Sequence, residues 1–296
     1  MCQTPRRILN PMLPSRRKLE NAPLWIDVPC GKCSHCLKRR MLDWTFRLKQ
    51  ENLRSTNCYF TTLTYADHAI PQTETHYTLH KADLQKFFKR LRKRQARLSE
   101  EKIKYYAVGE YGGLTQRPHY HALLFNLADP KLVQDAWSYY GDPIGFTDCE
   151  PLKHDGGIGY VVNYFIGNHD TDLRAKEFSC MSKNLGDNYL TPEMIDYHKR
   201  DLRRCFVTNP GGIKQPMPRY YKNKIYTEEE QKWISGYLDI RTNEILTDQI
   251  NAMIKKGHAS ESYIDHNGRF VPSAEIIRNL RSINAKHIIN TKKMKV

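Results

Sequence analysis

Glu110, His119 and His121 are the residues of this chain whose types and spacing best suit chemistry. Two histidines one residue apart project to the same side of an extended strand, so Tyr120 faces the other way. Gly112 and Gly113 punctuate the chain between the acid and the histidine pair. A hairpin through them, with a tight turn, returns Glu110 to the imidazoles. Two imidazoles and a carboxylate converging in this way suit a divalent metal, with positions left for water or phosphate oxygens. Taken alone, a His-x-His pair is more simply two hydrogen-bonded surface histidines. The acid a hairpin's length upstream and the apolar run Ala122–Phe125 that follows favour the metal.

A second cluster is Cys30, Cys33 and Cys36, with Gly31 and Lys32 between the first two permitting a knuckle turn. Three thiolates need a fourth ligand, and Cys2 is the nearest candidate. A four-cysteine zinc site is the first reading. An iron–sulfur cluster is the second, since the three cysteines fit ferredoxin spacing, although the fourth position of that run falls on Arg40. Free buried thiols are the third. Tyr160 and Tyr164 form a pair spaced by four. On a helix they share a face, whereas on a strand they stand about 13 Å apart. Alone, such a pair is equally at home lining a core.

The elements that must position these groups are legible around them. Residues 102–110 and 118–125 suit the two strands of the hairpin, and Tyr59–Tyr65, rich in β-branched and aromatic residues, suits another. Leu37, Met41, Trp44 and Leu48 make one apolar stripe of a helix over residues 37–52. Residues 80–98 read as a basic helix whose apolar side is Leu84, Phe87, Phe88, Leu91 and Leu98. Lys86, Lys89, Arg90, Arg92, Lys93 and Arg94 supply its charge with no acid between them, which favours phosphate contact over a merely solvated face. Arg117, beside the histidines, is grouped with these as a DNA contact. A short helix is expected over 131–139, a strand over 145–150, and a helix over 160–166. Residues 1–29, with five prolines and the basic patch Arg16–Lys18, look irregular. Beyond residue 170 the pattern thins to a loop-like stretch at 211–221, a capping box at Thr227 and Glu230, and a basic tail over 287–296.

Composition narrows the class. The chain has 296 residues and a net charge of +15, which favours a polyanionic partner, nucleic acid before an acidic membrane surface. No apolar run is long enough to span a bilayer, and no secretory signal is evident. Eight cysteines in a cytoplasmic, reducing setting suit metal binding better than disulfides.

Together the motifs resemble those of a known family. Phe60-Thr61-x-Leu63-Thr64-Tyr65, Gly109-Glu110-Tyr111-Gly112, Arg117-Pro118-His119-Tyr120-His121, the Tyr160/Tyr164 pair and Pro218-Arg219-Tyr220-Tyr221 resemble the HUH endonucleases that initiate rolling-circle replication. Within that family the chain is most similar to the initiators of microviruses, especially gokushoviruses, which also share the Cys-x-x-Cys-x-x-Cys start. The resemblance covers about residues 28–225. One departure is Asn163, where the family usually has lysine. The resemblance implies an α+β fold, an antiparallel sheet with helices on one face and the metal site on the other. It implies Mg²⁺ or Mn²⁺ on Glu110, His119 and His121, and nucleophilic attack by Tyr160 or Tyr164 on single-stranded DNA at an origin. A 5′-phosphotyrosine and a 3′-hydroxyl primer result, and strands are later rejoined. No phosphate-binding loop of a helicase motor is present, so host helicase and polymerase are the implied partners. The expected segments are a cysteine region (1–36), a nickase core (37–225) and a helical, basic C-terminal region (226–296). The alternative class is a non-catalytic zinc protein that binds single-stranded nucleic acid.

Overall fold

The computed structural model describes residues 2, 4–10, 24–152, 156–163, 174–255, 263–264 and 270–271. The chain divides into two compact units, Arg39–Thr191 and Met1–Lys38 with Pro192–Val296. At the start, β1 (Arg6–Leu9) pairs antiparallel with β2 (Trp25–Val28), and α1 (Ser34–Arg54) follows. This pair corrects the expectation that residues 1–29 are irregular throughout. The Arg16–Lys18 patch lies outside the described residues.

The core of the Arg39–Thr191 unit is a five-stranded antiparallel sheet. Its strands are β3 (Cys58–Thr64), β4 (Lys104–Tyr111), β5 (Pro118–Phe125), β8 (Thr147–Pro151) and β9 (Phe178–Met181), in the order β8-β3-β5-β4-β9. Between them run α2 (Lys81–Gln95), α3 (Lys131–Ala136), the two-residue strands β6 (Ser138–Tyr139) and β7 (Asp142–Pro143), and α4 (Gly156–Asn163). Strand alternation sorts the sheet into two faces. Leu63, Tyr120, Ala122 and Leu124 pack with Leu84, Phe87, Phe88 and Leu91 of α2 and with Val133 and Ala136 of α3. On the other face, Tyr106, Leu123 and Phe125 pack with Leu48 of α1 and with Ile158, Val161 and Val162 of α4. Helices therefore cover both faces, which corrects the expectation of helices on one face only.

Two buried polar groups tie this layer together. The carboxylate of Glu51, on α1, accepts from Arg54 at 2.6 Å, Lys104 at 3.2 Å and the Gly186 N–H at 2.8 Å, so a buried charge is fully partnered. Asp83, at the start of α2, accepts from the Tyr65 hydroxyl at 2.9 Å and from Tyr139. In the other unit, α5 (Pro192–Lys199), the ladder of β10 (Phe206–Thr208) with β11 (Lys214–Pro216), and α6 (Arg219–Ile225) occupy a region whose sequence read mainly as loop. The capping box then opens α7 (Glu228–Lys255): Thr227 N–H donates to Glu230 at 2.7 Å and Glu230 N–H to Thr227 Oγ1 at 3.2 Å. The basic tail over 287–296 lies outside the described residues.

Candidate active site

The β4–β5 hairpin places Glu110 directly opposite His119, and Val108 opposite His121. The connection is longer than a tight turn. It closes with Gly112 N–H donating to the Arg117 carbonyl at 3.0 Å, and its left-handed position is Gln116 (φ 53) rather than either glycine. Tyr120 projects to the opposite face, as the alternation requires. There its hydroxyl lies 2.9 Å from Tyr65 and is bracketed by the backbone of His80, with both contacts at 3.0 Å. Slipping β5 by one residue would exchange this buried tyrosine for a histidine, so the Tyr120 contacts fix the register that presents His119 and His121.

One ligand atom from each of Glu110, His119 and His121 falls within a common 4.8 Å span. His119 Nε2 and His121 Nε2 lie 3.4 Å and 3.2 Å from Glu110 Oε1. The other imidazole nitrogens are held from behind. His119 Nδ1 is 3.2 Å from the Arg117 carbonyl, which can only accept, so Nδ1 carries the proton and Nε2 is left as a ligand. His121 Nδ1 is 3.1 Å from Thr62 Oγ1, and Phe60 stacks on the same ring with centroids 5.3 Å apart. Both partners come from β3, whose Thr62 is the cross-strand neighbour of His121. The sequence motif contained Phe60 and Thr62 without assigning them a role. The period-two alternation of β3 was the signal that could have done so.

The electrostatics call for a cation. Glu110 Oε1 is buried and has no hydrogen-bond donor. Burial works to raise the Glu110 carboxyl, but His119 and His121 outweigh it and hold it at about 2. Burial works to lower His119, yet Glu110 and the Arg117 carbonyl leave it above its ordinary value. Positive charge between these groups is therefore favoured, and either an imidazolium proton or a bound divalent ion can supply it. The donor set, two imidazoles and a carboxylate, fits the ion.

The cysteine cluster is also assembled. Cys2, Cys30, Cys33 and Cys36 offer sulfurs within a common 4.8 Å span, and the Cys2 and Cys33 sulfurs are 3.9 Å apart. Gly31 adopts φ 74, the left-handed conformation that the knuckle needs. Cys30 Sγ accepts the N–H groups of Lys32 at 3.4 Å and Cys33 at 3.2 Å. The Thr4 hydroxyl and these two N–H groups pull the Cys30 thiol down to about 5, whereas burial pushes Cys36 up to about 12.

Other candidate residues are distributed differently. Tyr160 lies on α4, its side chain outside the described residues, and Tyr164 is outside them altogether. Arg117 donates to Asp67 at 2.7 Å and to the Tyr65 carbonyl at 2.9 Å, contacts that steady the carbonyl behind His119. Arg90 is half-buried and donates to the Ala136 carbonyl at 2.8 Å, and Arg94 is half-buried as well. Lys86, Lys89, Arg92 and Lys93 are exposed on α2, which packs on the Tyr120 face. The metal cluster and the basic helix are thus on opposite faces of one sheet.

Comparison with known proteins converges on the same segment. The family model for the phage replication-associated protein ORF2 matches residues 58–169. Replication-associated protein VP4 of Bdellovibrio phage phiMH2K is 26% identical over 243 residues, covering 74% of this chain and 74% of that protein. Replication-associated protein ORF2 of Spiroplasma virus 4 is 25% identical over 261 residues, covering 82% and 80%. Replication-associated protein ORF4 of Chlamydia phage 1 is 26% identical over 255 residues, covering 77% and 61%. No solved structure matches. The motifs and the comparisons thus give one relationship: this chain is a relative of the phage replication-associated proteins, and Glu110, His119 and His121 lie inside the segment that carries the likeness.

Proposed function

We propose that this replication-associated protein is a metal-dependent nickase of single-stranded DNA that starts rolling-circle replication through a tyrosine. The observation that carries this reading is the buried, donor-less Glu110 oxygen facing two Nε2 atoms whose rings are held from behind. Mg²⁺ or Mn²⁺ held by Glu110, His119 and His121 supplies polarisation of a non-bridging phosphate oxygen. Tyr160 and Tyr164 are the nucleophiles. The phenolic oxygen forms a bond to phosphorus, the bond to O3′ breaks, and the proton lost from tyrosine is balanced by one gained at O3′. The products are a 5′-phosphotyrosine and a 3′-hydroxyl primer. The ester retains the bond's energy, so rejoining needs no nucleotide. With asparagine at 163, a cation from elsewhere in the chain must stabilise the tyrosinate.

Cys2, Cys30, Cys33 and Cys36 hold a structural Zn²⁺ in this reading. A tetrahedral ion with Zn–S bonds of about 2.3 Å sets its sulfurs about 3.8 Å apart, close to the 3.9 Å between Cys2 and Cys33. An iron–sulfur cluster attaches each thiolate to a separate iron and holds the sulfurs farther apart. The substrate is viral single-stranded DNA in the host cytoplasm, with host helicase and polymerase acting after the nick. No helix among the described residues is long and apolar enough to cross a membrane.

The test is incubation with a labelled pool of single-stranded DNA and Mn²⁺, followed by denaturing electrophoresis. A labelled band migrating with the protein supports the nickase. Tight binding with no such band at any metal concentration supports the non-catalytic alternative instead.

A further inference from the structure

We propose that the outer face of α2, together with Tyr140, is a second track for single-stranded DNA, separated by the sheet from the Glu110/His119/His121 site. It holds a part of the strand other than the part being cut. The proposal rests on the nucleic-acid reading above but not on the nicking chemistry.

The placement follows from strand alternation. His119 and His121 share one face of β5, while α2 packs through Leu84, Phe87, Phe88 and Leu91 against Tyr120 and its neighbours on the other. A strand seated at the metal site therefore cannot touch α2 with the same few nucleotides. The exposed residues of α2 are Lys81, Gln85, Lys86, Lys89, Arg92 and Lys93. Its one acid, Asp83, is buried and already occupied by Tyr65 and Tyr139. The outer face thus carries five cations and no compensating charge, at a cost in self-repulsion that a bound polyanion removes. Lys86, Lys89 and Lys93 form one row about 10 Å long at the helical rise, room for about three phosphates of a strand.

An aromatic group completes the track. Lys86 Nζ and Arg90 Cζ sit 5.4 Å and 5.5 Å from the Tyr139 ring, which sets the β6–β7 hairpin beside the cationic row. The next residue, Tyr140, is 107% exposed at φ 48, followed by Gly141 at φ 101. Two-residue hairpins of this geometry favour asparagine or glycine, and a bulky side chain at positive φ is uncommon. Tyr140 gains no packing in return. An aromatic ring standing in solvent next to a row of lysines is the arrangement that grips a single strand, with phosphates on the cations and a base on the ring. A duplex, whose bases are already stacked, has no use for the ring.

The test uses the full-length protein, a labelled 30-nucleotide single strand and fluorescence anisotropy across a salt series. Lys86→Ala, Lys89→Ala and Lys93→Ala combined should make the slope of log K against log salt shallower by about 2, from about 0.7 for each phosphate released. Tyr140→Gly, compatible with the left-handed backbone, should weaken single-strand binding about tenfold with the slope unchanged and leave duplex binding as it was. On the unaltered protein, photo-crosslinking of a bromouridine-substituted strand should modify Tyr140. The proposal is overturned if both folded variants bind with the parent's affinity and slope, if Tyr140→Gly weakens duplex and single strand alike, or if no crosslink maps to residues 139–141. None of these readouts involves cleavage, so a protein that fails to nick leaves this test intact, and the reverse also holds.

Discussion

Thr62 should control metal affinity without touching the metal. Its Oγ1 is 3.1 Å from His121 Nδ1, across the β3–β5 ladder, while Nε2 of the same ring is 3.2 Å from Glu110 Oε1. Thr62→Val keeps the shape and the β-branch but removes the oxygen. His121 then loses the acceptor that fixes its tautomer and orientation, while the stacked Phe60 ring stays in place. Loss of such an outer hydrogen bond weakens metal binding by roughly 10–100-fold, or about 1.4–2.7 kcal/mol. His119 provides an internal control, because its corresponding partner is the Arg117 backbone carbonyl, which side-chain changes leave in place. The assay is Mn²⁺ binding by titration calorimetry, paired with adduct formation against Mn²⁺ concentration. Thr62→Val should shift the midpoint roughly 10–100-fold and recover near-parental activity at saturating metal, whereas His121→Ala should remain inactive at any concentration. An unshifted midpoint in a folded Thr62→Val protein would show that the hydroxyl does not orient the ligand.

Three further outcomes are expected. Changing Tyr160 and Tyr164 together to Phe should abolish the covalent adduct while leaving circular dichroism and DNA binding unchanged; an adduct of normal yield, or one mapped by mass spectrometry to another residue, would remove both as nucleophiles. Cys33→Ser should lower the zinc content of the purified protein from one equivalent per chain, measured by elemental analysis; parent protein containing neither zinc nor iron would sink the cysteine assignment. Gly145→Ala should destabilise the protein by about 3 kcal/mol, because its added carbon would overlap the Thr64 carbonyl and lie 2.8 Å from Tyr65 Cα. Thermal unfolding at the parent temperature would contradict that close approach.

The site was more legible than the fold around it, for physical reasons. Period-two alternation over Pro118–Phe125 and a short return to Glu110 are local signals, and local signals survive in a single sequence. The two-face packing was present but misread. Ala122, Leu123, Leu124 and Phe125 are consecutive and all wholly buried. A continuous apolar run marks a strand covered on both faces, so helices on both sides could have been inferred. β9 gave no comparable signal. Phe178 and Cys180 alternate inward, but over only four residues, and the strand's partner β4 lies about seventy positions earlier in the chain. β1 and β2 pair residues such as Arg7 with Asp27, whose charges complement each other only once the register is known.

The active face of the sheet is divided along the length of a single strand. His119, His121, Leu123 and Phe125 point to the same side of β5, two residues apart at each step. The first pair faces Glu110, while the second pair is sealed by α1 and α4. The change from polar to dry therefore occurs within one step of about 7 Å, and Phe60 marks the border by stacking on His121 from the dry side. Two consequences follow. Glu110 is 7% exposed, so a charge bound beside it acts through a medium less screened than water. The helix that carries Tyr160 is anchored through Ile158, Val161 and Val162 to the strand that carries both histidines. The placement of the proposed nucleophile then depends on core packing rather than on a free loop. Truncating Leu123 or Phe125 should therefore impair adduct formation beyond its effect on stability, although neither side chain meets the metal ligands' side of the border.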